Sequence, residues 1–181
     1  MTHVLAIDAG GTKTAVAVVD QTGRVRERRQ VAAARTFDAT VEQIAAAAAT
    51  ATGVAAIGVI VPGIYDARDG TAWCPNLWGD AHVPLRDAVR ARVALPLAID
   101  CDRSGYVSGE AWCGIARGAS DVVFVAIGTG IGVGILAGGH VVAGAHGIAG
   151  AAGWSSLLDT WKDDYRTCGC WEGEAAGPAL A

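Results

Sequence analysis

The sequence predicts an α/β protein of duplicated design. Extended and helical patterns alternate along the chain, as layered α/β architectures require. Two similar strand-turn-strand units, one opening at His3 and the other at Val122, each turn on glycines. Duplicated units of this kind imply two lobes around a cleft.

The first unit begins with an apolar run, His3 to Ile7, and the loop Asp8-Ala9-Gly10-Gly11-Thr12. A second run, Ala15 to Val19, a turn at Asp20 to Gly23, and a third run, Val25 to Val31, complete an antiparallel meander. Asp38 is the expected cap of a helix through Val41, Ile44 and the alanine block to Thr52, with Gly53 as its stop. Ala55 to Val61 reads as a buried strand ended by Pro62-Gly63. From Ile64 to Val83 there is no period and much Gly, Pro, Asp and Asn, so a long surface loop is expected. Pro84 to Arg92 suits a short helix, Leu95 to Ile99 a strand, and Asp102 or Ser104 the cap of a helix towards Trp112.

The second unit has a buried strand, Val122 to Ile127, the turn Gly128-Thr129-Gly130, and the runs Ile131 to Leu136 and Val141 to Ala143 around Gly138-Gly139. A Gly/Ala segment, Gly144 to Gly153, follows, and Trp171 to Leu180 begins a helix. The expected lobes are 1–118 and 119–181, the second cut short because it has hairpins but few helices to cover them.

Composition sets the class. Apolar residues make up 52% of the 181 residues and charged ones 18%, enough to bury a core rather than stay disordered. A formal net charge of −4 argues against nucleic-acid or membrane-surface partners, and the basic cluster Arg24 to Arg29 reads as a solvated strand or turn. No apolar run of roughly 18 residues and no signal peptide is found. The five cysteines, an odd number, do not form a secreted disulfide framework, so a reducing, cytoplasmic setting is expected.

Several residues could carry chemistry. In Asp8-Ala9-Gly10-Gly11-Thr12-Lys13, Gly10 and Gly11 let backbone N–H groups approach an anion, Thr12 adds a hydroxyl and Lys13 a positive charge. Asp8 could orient Mg²⁺ directly or through water. An ordinary hairpin turn is the alternative. Gly128, Thr129 and Gly130 repeat the phosphate pattern, or are a glycine-rich sheet crossing. Asp102, in Asp100-Cys101-Asp102, can take a proton from an attacking hydroxyl or simply cap its helix. Asn76 offers a donor and an acceptor to a polyol, or forms a turn. Glu172 could accept sugar hydroxyls or sit in a first helical turn. Cys168 and Cys170 are the zinc candidates, but a complete site needs two more ligands, and plain packing is the default.

In order along the chain these motifs resemble the ROK family, named for repressors, open reading frames and kinases. The resemblance runs through Asp8 to Lys13, Val61-Pro62-Gly63, Pro75-Asn76-Leu77, Asp100-Cys101-Asp102 with Gly109-Glu110, Ile127 to Gly132, Gly147 to Gly153, and Gly169-Cys170-Trp171-Glu172. It implies the actin-like ATPase (ribonuclease H-like) fold, here a first lobe plus an incomplete second lobe. It implies phosphorylation of a hexose or N-acylhexosamine with ATP and Mg²⁺, or a sugar-responsive repressor. On that basis Asp102 matches the general base. Gly63, Asn76 and Glu172 fall among the sugar contacts, and Asp8, Gly10 to Lys13 and Gly128 to Gly130 match the phosphate and metal loops.

There are departures. Asp100-Cys101-Asp102 stands where the family commonly has Glu-Asn-Asp, which removes one sugar contact. Ala151-Ala152-Gly153-Trp154 stands where it has Glu-Ile-Gly-His, which removes another and a zinc ligand. Trp154 is left to stack on a sugar face or to pack in the core. The family's zinc-binding cysteine cluster is reduced to Cys168 and Cys170. The first phosphate strand begins at His3, which leaves no place for a DNA-binding helix-turn-helix, so a catalytically dead sugar binder is the competing expectation. A radical-enzyme activator with a cysteine-ligated cluster is a third. The family continues past Ala181, and its members are commonly dimers, so a homodimer is the implied assembly.

Overall fold

A computed structural model describes residues 2–180. The chain divides into two compact units, Met1–Asp102 and Arg103–Ala181. The expected lobe boundary at 118 lies one helix further on.

In the first unit, β1 (His3–Ala9), β2 (Lys13–Asp20) and β3 (Val25–Ala32) form the expected antiparallel meander. The alternation of buried Leu5, Ile7 and Ala9 with partly exposed residues turns one face of β1 inward. β3 is exposed along its whole length, so the basic cluster is a solvated edge strand. There Arg26 pairs with the Asp20 carboxylate at 2.9 Å, and charged edge strands resist pairing with other chains.

α1 (Phe37–Thr50) follows. Its cap is Thr36, whose hydroxyl accepts from the Ala39 N–H at 3.3 Å, and not Asp38. Asp38 lies within the first turn, where its charge favours the helix dipole. Buried Val41, Ile44 and Ala47 recur at helical spacing and cover the sheet.

β4 (Val54–Val61) lies parallel to β1, and the segment read as a loop forms a small antiparallel sheet. It consists of β5 (Ile64–Asp66), β6 (Thr71–Trp73) and β7 (His82–Val83), with the one-turn helix α2 (Pro75–Trp78) between the last two. Strands of two or three residues are too short for a period-2 signal. α3 (Leu85–Arg90) leads to β8 (Leu97–Cys101), parallel to β4, which closes a sheet of order β3-β2-β1-β4-β8.

α4 (Asp102–Cys113) opens the second unit. β9 (Val122–Ile127), β10 (Ile131–Ala137) and β11 (His140–Val141) form its antiparallel sheet, with β10 central. The close seating of α4 on β10 needs Gly134, since a Cβ there would meet Val107 Cβ at 2.7 Å. A 3₁₀ turn (Ala152–Trp154) and α5 (Tyr165–Cys168) follow, and the tail read as one helix is two, α6 (Cys170–Ala175) and α7 (Gly177–Leu180). No helix among the described residues is long and apolar enough to cross a membrane.

Candidate functional site

Three sequence-distant motifs meet where the parallel strands of the first unit end. The register pairs Asp8 with Ile60 across β1 and β4, and Ile60 with Asp100 and Val61 with Cys101 across β4 and β8. Asp8, Val61-Pro62-Gly63 and Asp102 therefore leave the sheet at one edge. Ligands of open α/β sheets characteristically bind at the carboxyl ends of parallel strands.

Gly63 adopts φ +99°, and a Cβ there would run into the Trp73 carbonyl and lie 3.2 Å from Cys74 Cα. Only glycine allows this approach. The exit of β4 thus rests on the backbone that leads into Pro75-Asn76. Cys74 is 1% exposed, and burial, with a smaller contribution from the Asp102 carboxylate, pushes its thiol up to about 12.

α2 is anchored so that Asn76 stays exposed. Pro75 suits its first position, Leu77 is buried, and the Trp78 indole N–H donates to Thr40 Oγ1 of α1 at 2.9 Å. The Trp78 ring also meets Phe37 edge-on, with centroids 5.5 Å apart. Cys101 is buried, with 7% of its surface exposed.

The β1–β2 turn is open: Gly11, Thr12 and Lys13 are exposed. A Cβ at Gly10 would meet the Lys13 carbonyl at 3.0 Å, and the Thr12 carbonyl accepts from the Ala33 N–H at 3.2 Å, which fixes the loop. A glycine turn ending in an exposed lysine fits an anionic phosphate. Asp8 is the one carboxylate of this loop. That fits magnesium, which commonly takes one or two protein carboxylates and completes its shell with phosphate and water oxygens.

In the second unit, Gly128 and Thr129 are exposed between β9 and β10, and the Gly128 N–H donates to the Gly130 carbonyl at 2.9 Å. Glu172, on α6, is partly buried, and its Oε2 accepts from the Ile131 N–H at 2.7 Å. Arg103 donates to the Gly147 carbonyl at 3.2 Å, and the Gly150 carbonyl accepts from the Val133 N–H at 2.9 Å, so the Gly147–Gly153 segment is laid along β10. Trp154 is 60% exposed.

The cysteine pair does not suit zinc. The Cys168 thiol donates to the Asp164 carbonyl at 3.3 Å, and Cys170, 5% exposed, accepts from the Leu157 N–H at 3.5 Å. Among the described residues no three His, Cys, Asp or Glu side chains are grouped as metal ligands. Glu110 of the Gly109-Glu110 motif accepts from the Ile115 N–H at 3.0 Å, a structural use. Trp78 and Arg103 escaped the sequence reading. Trp78 follows Pro75-Asn76-Leu77 directly, which was the available signal; Arg103 had none.

The solved structure of a ROK family glucokinase from Streptomyces griseus, in complex with glucose and AMPPNP, superposes with a TM-score of 0.87 at 35% identity. It matches 98% of this chain and 58% of its own. The fold is therefore that of the actin-like ATPases. The sequence matches the ROK family over residues 4–181, and the chain belongs to that family. It is 32% identical to the glucokinase of Streptomyces coelicolor over 97% of this chain and 57% of that protein. It is also 36% identical to a putative xylose repressor of a Caldicellulosiruptor species over 77% of this chain and 35% of that protein. The chain thus spans little more than half the length of these glucokinases.

Proposed function

We propose that the protein is an ATP-dependent sugar kinase, with a hexose or N-acylhexosamine as acceptor. The observation that carries this reading is that Asp8, Gly63 and Asp102 leave the sheet at one edge, at the carboxyl ends of β1, β4 and β8. Likeness to glucokinases, one of them solved with glucose and AMPPNP, supports it.

In this mechanism Asn76 and the Gly63 backbone hold the sugar, and Glu172 accepts from a sugar hydroxyl. Asp102 takes the proton of the acceptor hydroxyl as its oxygen attacks the γ-phosphorus; the new O–P bond forms while the bond to the ADP oxygen breaks. Gly10, Gly11, Thr12 and Lys13, and Gly128, Thr129 and Gly130, each offer backbone or side-chain donors to phosphate oxygens. Magnesium, when bound beside Asp8, would neutralise developing phosphate charge. We take 1–118 and 119–181 as the functional lobes, a homodimer as the assembly and the cytoplasm as its place.

The test is ADP release from Mg-ATP against hexoses and N-acetylhexosamines, using the full-length protein. Asp102→Asn is expected to lower sugar-dependent release by about 10²–10⁴-fold with sugar binding intact. Undiminished release in that variant would remove Asp102 from the role of base. The second reading, a sugar binder without catalysis, is favoured by the likeness to a repressor and by buried Cys101 and exposed Trp154 at altered sugar positions. Sugar binding without ATP turnover in the wild type would establish it.

A further inference from the structure

The sequence reading gives Glu172 to the sugar, yet one of its oxygens is already committed within the second unit. Its Oε2 accepts from the backbone N–H of Ile131, the residue that ends the Gly128–Gly130 turn, at 2.7 Å. Ile131 is 6% exposed, so this N–H has little access to water and would be costly to leave unpaired.

The carboxylate reaches it through a space left by two glycines distant in sequence. A Cβ at Gly130 would lie 2.5 Å from Glu172 Oε2, and one at Gly153 would lie 2.8 Å from the same atom. The turn is held at its other end as well: the Gly177 N–H, just beyond α6, donates to the Gly128 carbonyl at 2.7 Å. α6 itself is set by Gly169, whose φ of +77° brings the chain against Gly153 and Trp154, and by the Trp171 N–H donating to Ser155 at 3.2 Å. Three glycine-bearing motifs of the sequence, Gly128–Gly130, Gly147–Gly153 and Gly169–Glu172, therefore form one device whose centre is a single carboxylate.

We infer that Glu172 is a positioning residue for the phosphate turn: through the Ile131 N–H it fixes the Gly128–Gly130 backbone in the shape that receives nucleotide phosphates. This deepens the kinase reading and rests on it for the identity of the anion. Oε2 is then committed to the turn, and the proposed sugar contact falls to Oε1.

The experiment compares Glu172→Ala, which removes the acceptor, with Glu172→Gln, which keeps an oxygen in its place. Gly130→Ala is the third variant; its methyl would displace the carboxylate without removing it, and it serves if Glu172→Ala fails to fold. Amide hydrogen exchange of residues 128–132 and Mg-ATP and glucose affinities by calorimetry are measured on the full-length protein. The expected result is about tenfold faster exchange and about tenfold weaker Mg-ATP binding in Glu172→Ala and Gly130→Ala, with Glu172→Gln near wild type in both. Unchanged exchange and Mg-ATP affinity in Glu172→Ala, with only glucose binding weakened, would overturn the inference and leave a plain sugar contact. Faster exchange in a protein whose wild type binds no Mg-ATP would uphold the positioning role and instead overturn the kinase reading.

Discussion

At the scale of single residues, cysteines and aromatics have distinct tasks. Cys74 is buried beside the loop that carries Asn76, with its thiol pushed up to about 12, so it remains a protonated packing group at neutral pH. Cys113 is exposed. Iodoacetamide at pH 8 is expected to label Cys113 well before Cys74 in the folded protein; equal labelling, read by mass spectrometry, would mean that the 74–78 segment opens readily. Trp78 holds Asn76 in place from two positions away. Trp78→Phe keeps the ring but loses the hydrogen bond to Thr40, at a cost of about 1 kcal/mol. Thermal unfolding should register that loss, and glucose titration should show a several-fold weaker affinity. Full affinity would show that α2 does not need this anchor.

At the scale of elements, close approach governs where helices and turns can sit. α4 lies on β10 at Gly134, and Gly134→Val would force its side chain into Val107. Overpacking of this kind costs about 1–3 kcal/mol, measurable as a lower denaturant midpoint. The β2–β3 turn depends on a carboxylate instead. Asp20 is buried at 3% exposure and accepts from the Thr22 hydroxyl and N–H, the Arg24 N–H and Arg26. These bonds, those of Thr22 foremost, hold its pKa far below the ordinary 3.8. A depressed carboxylate contributes stability that is fully present above its unfolded value and is lost as pH falls towards its folded one. Stability of the meander should therefore decline as pH drops below about 4, and Asp20→Asn should flatten that decline. An equally steep acid transition in the variant would assign it to other groups.

At the scale of the whole molecule, the two units differ in what they bury. The first has a continuous core from β1, β2, α1, β4 and α3, including Leu5, Ile7, Ile44, Ile57, Leu85 and Val89. In the second, Val123, Val125 and Ile127 on β9 are exposed, as are Trp154, Leu157, Leu158 and Trp161. Burial of apolar area is the main stabilising contribution, so within the 181-residue chain the second unit should open first. Hydrogen exchange under mild denaturant is expected to release β9–β11 before β1, β4 and β8; the reverse order would show that the second unit is the more stable. Ile57→Ala, at 1% exposure, should cost about 2–5 kcal/mol in the slowest-exchanging class.

The sequence by itself determined the meander, α1, β4 and the ordered motifs from Asp8 to Glu172. Those signals are local: side-chain periodicity, caps and glycines act within a few residues of where they stand. It did not reveal β5, β6, β7 and α2, which are too short to show a period and exist because neighbouring backbone satisfies them. Tertiary structure alone decided that Asp8, Gly63 and Asp102 leave the sheet at one edge, since parallel register joins strands that share no local signal. It likewise decided that Glu172 grips the turn at Ile131, and that Trp154 faces outward. Which side chain fills the space beside Gly130 and Gly153 is settled by the packing of a helix folded back from far along the chain, and no local pattern carries that information.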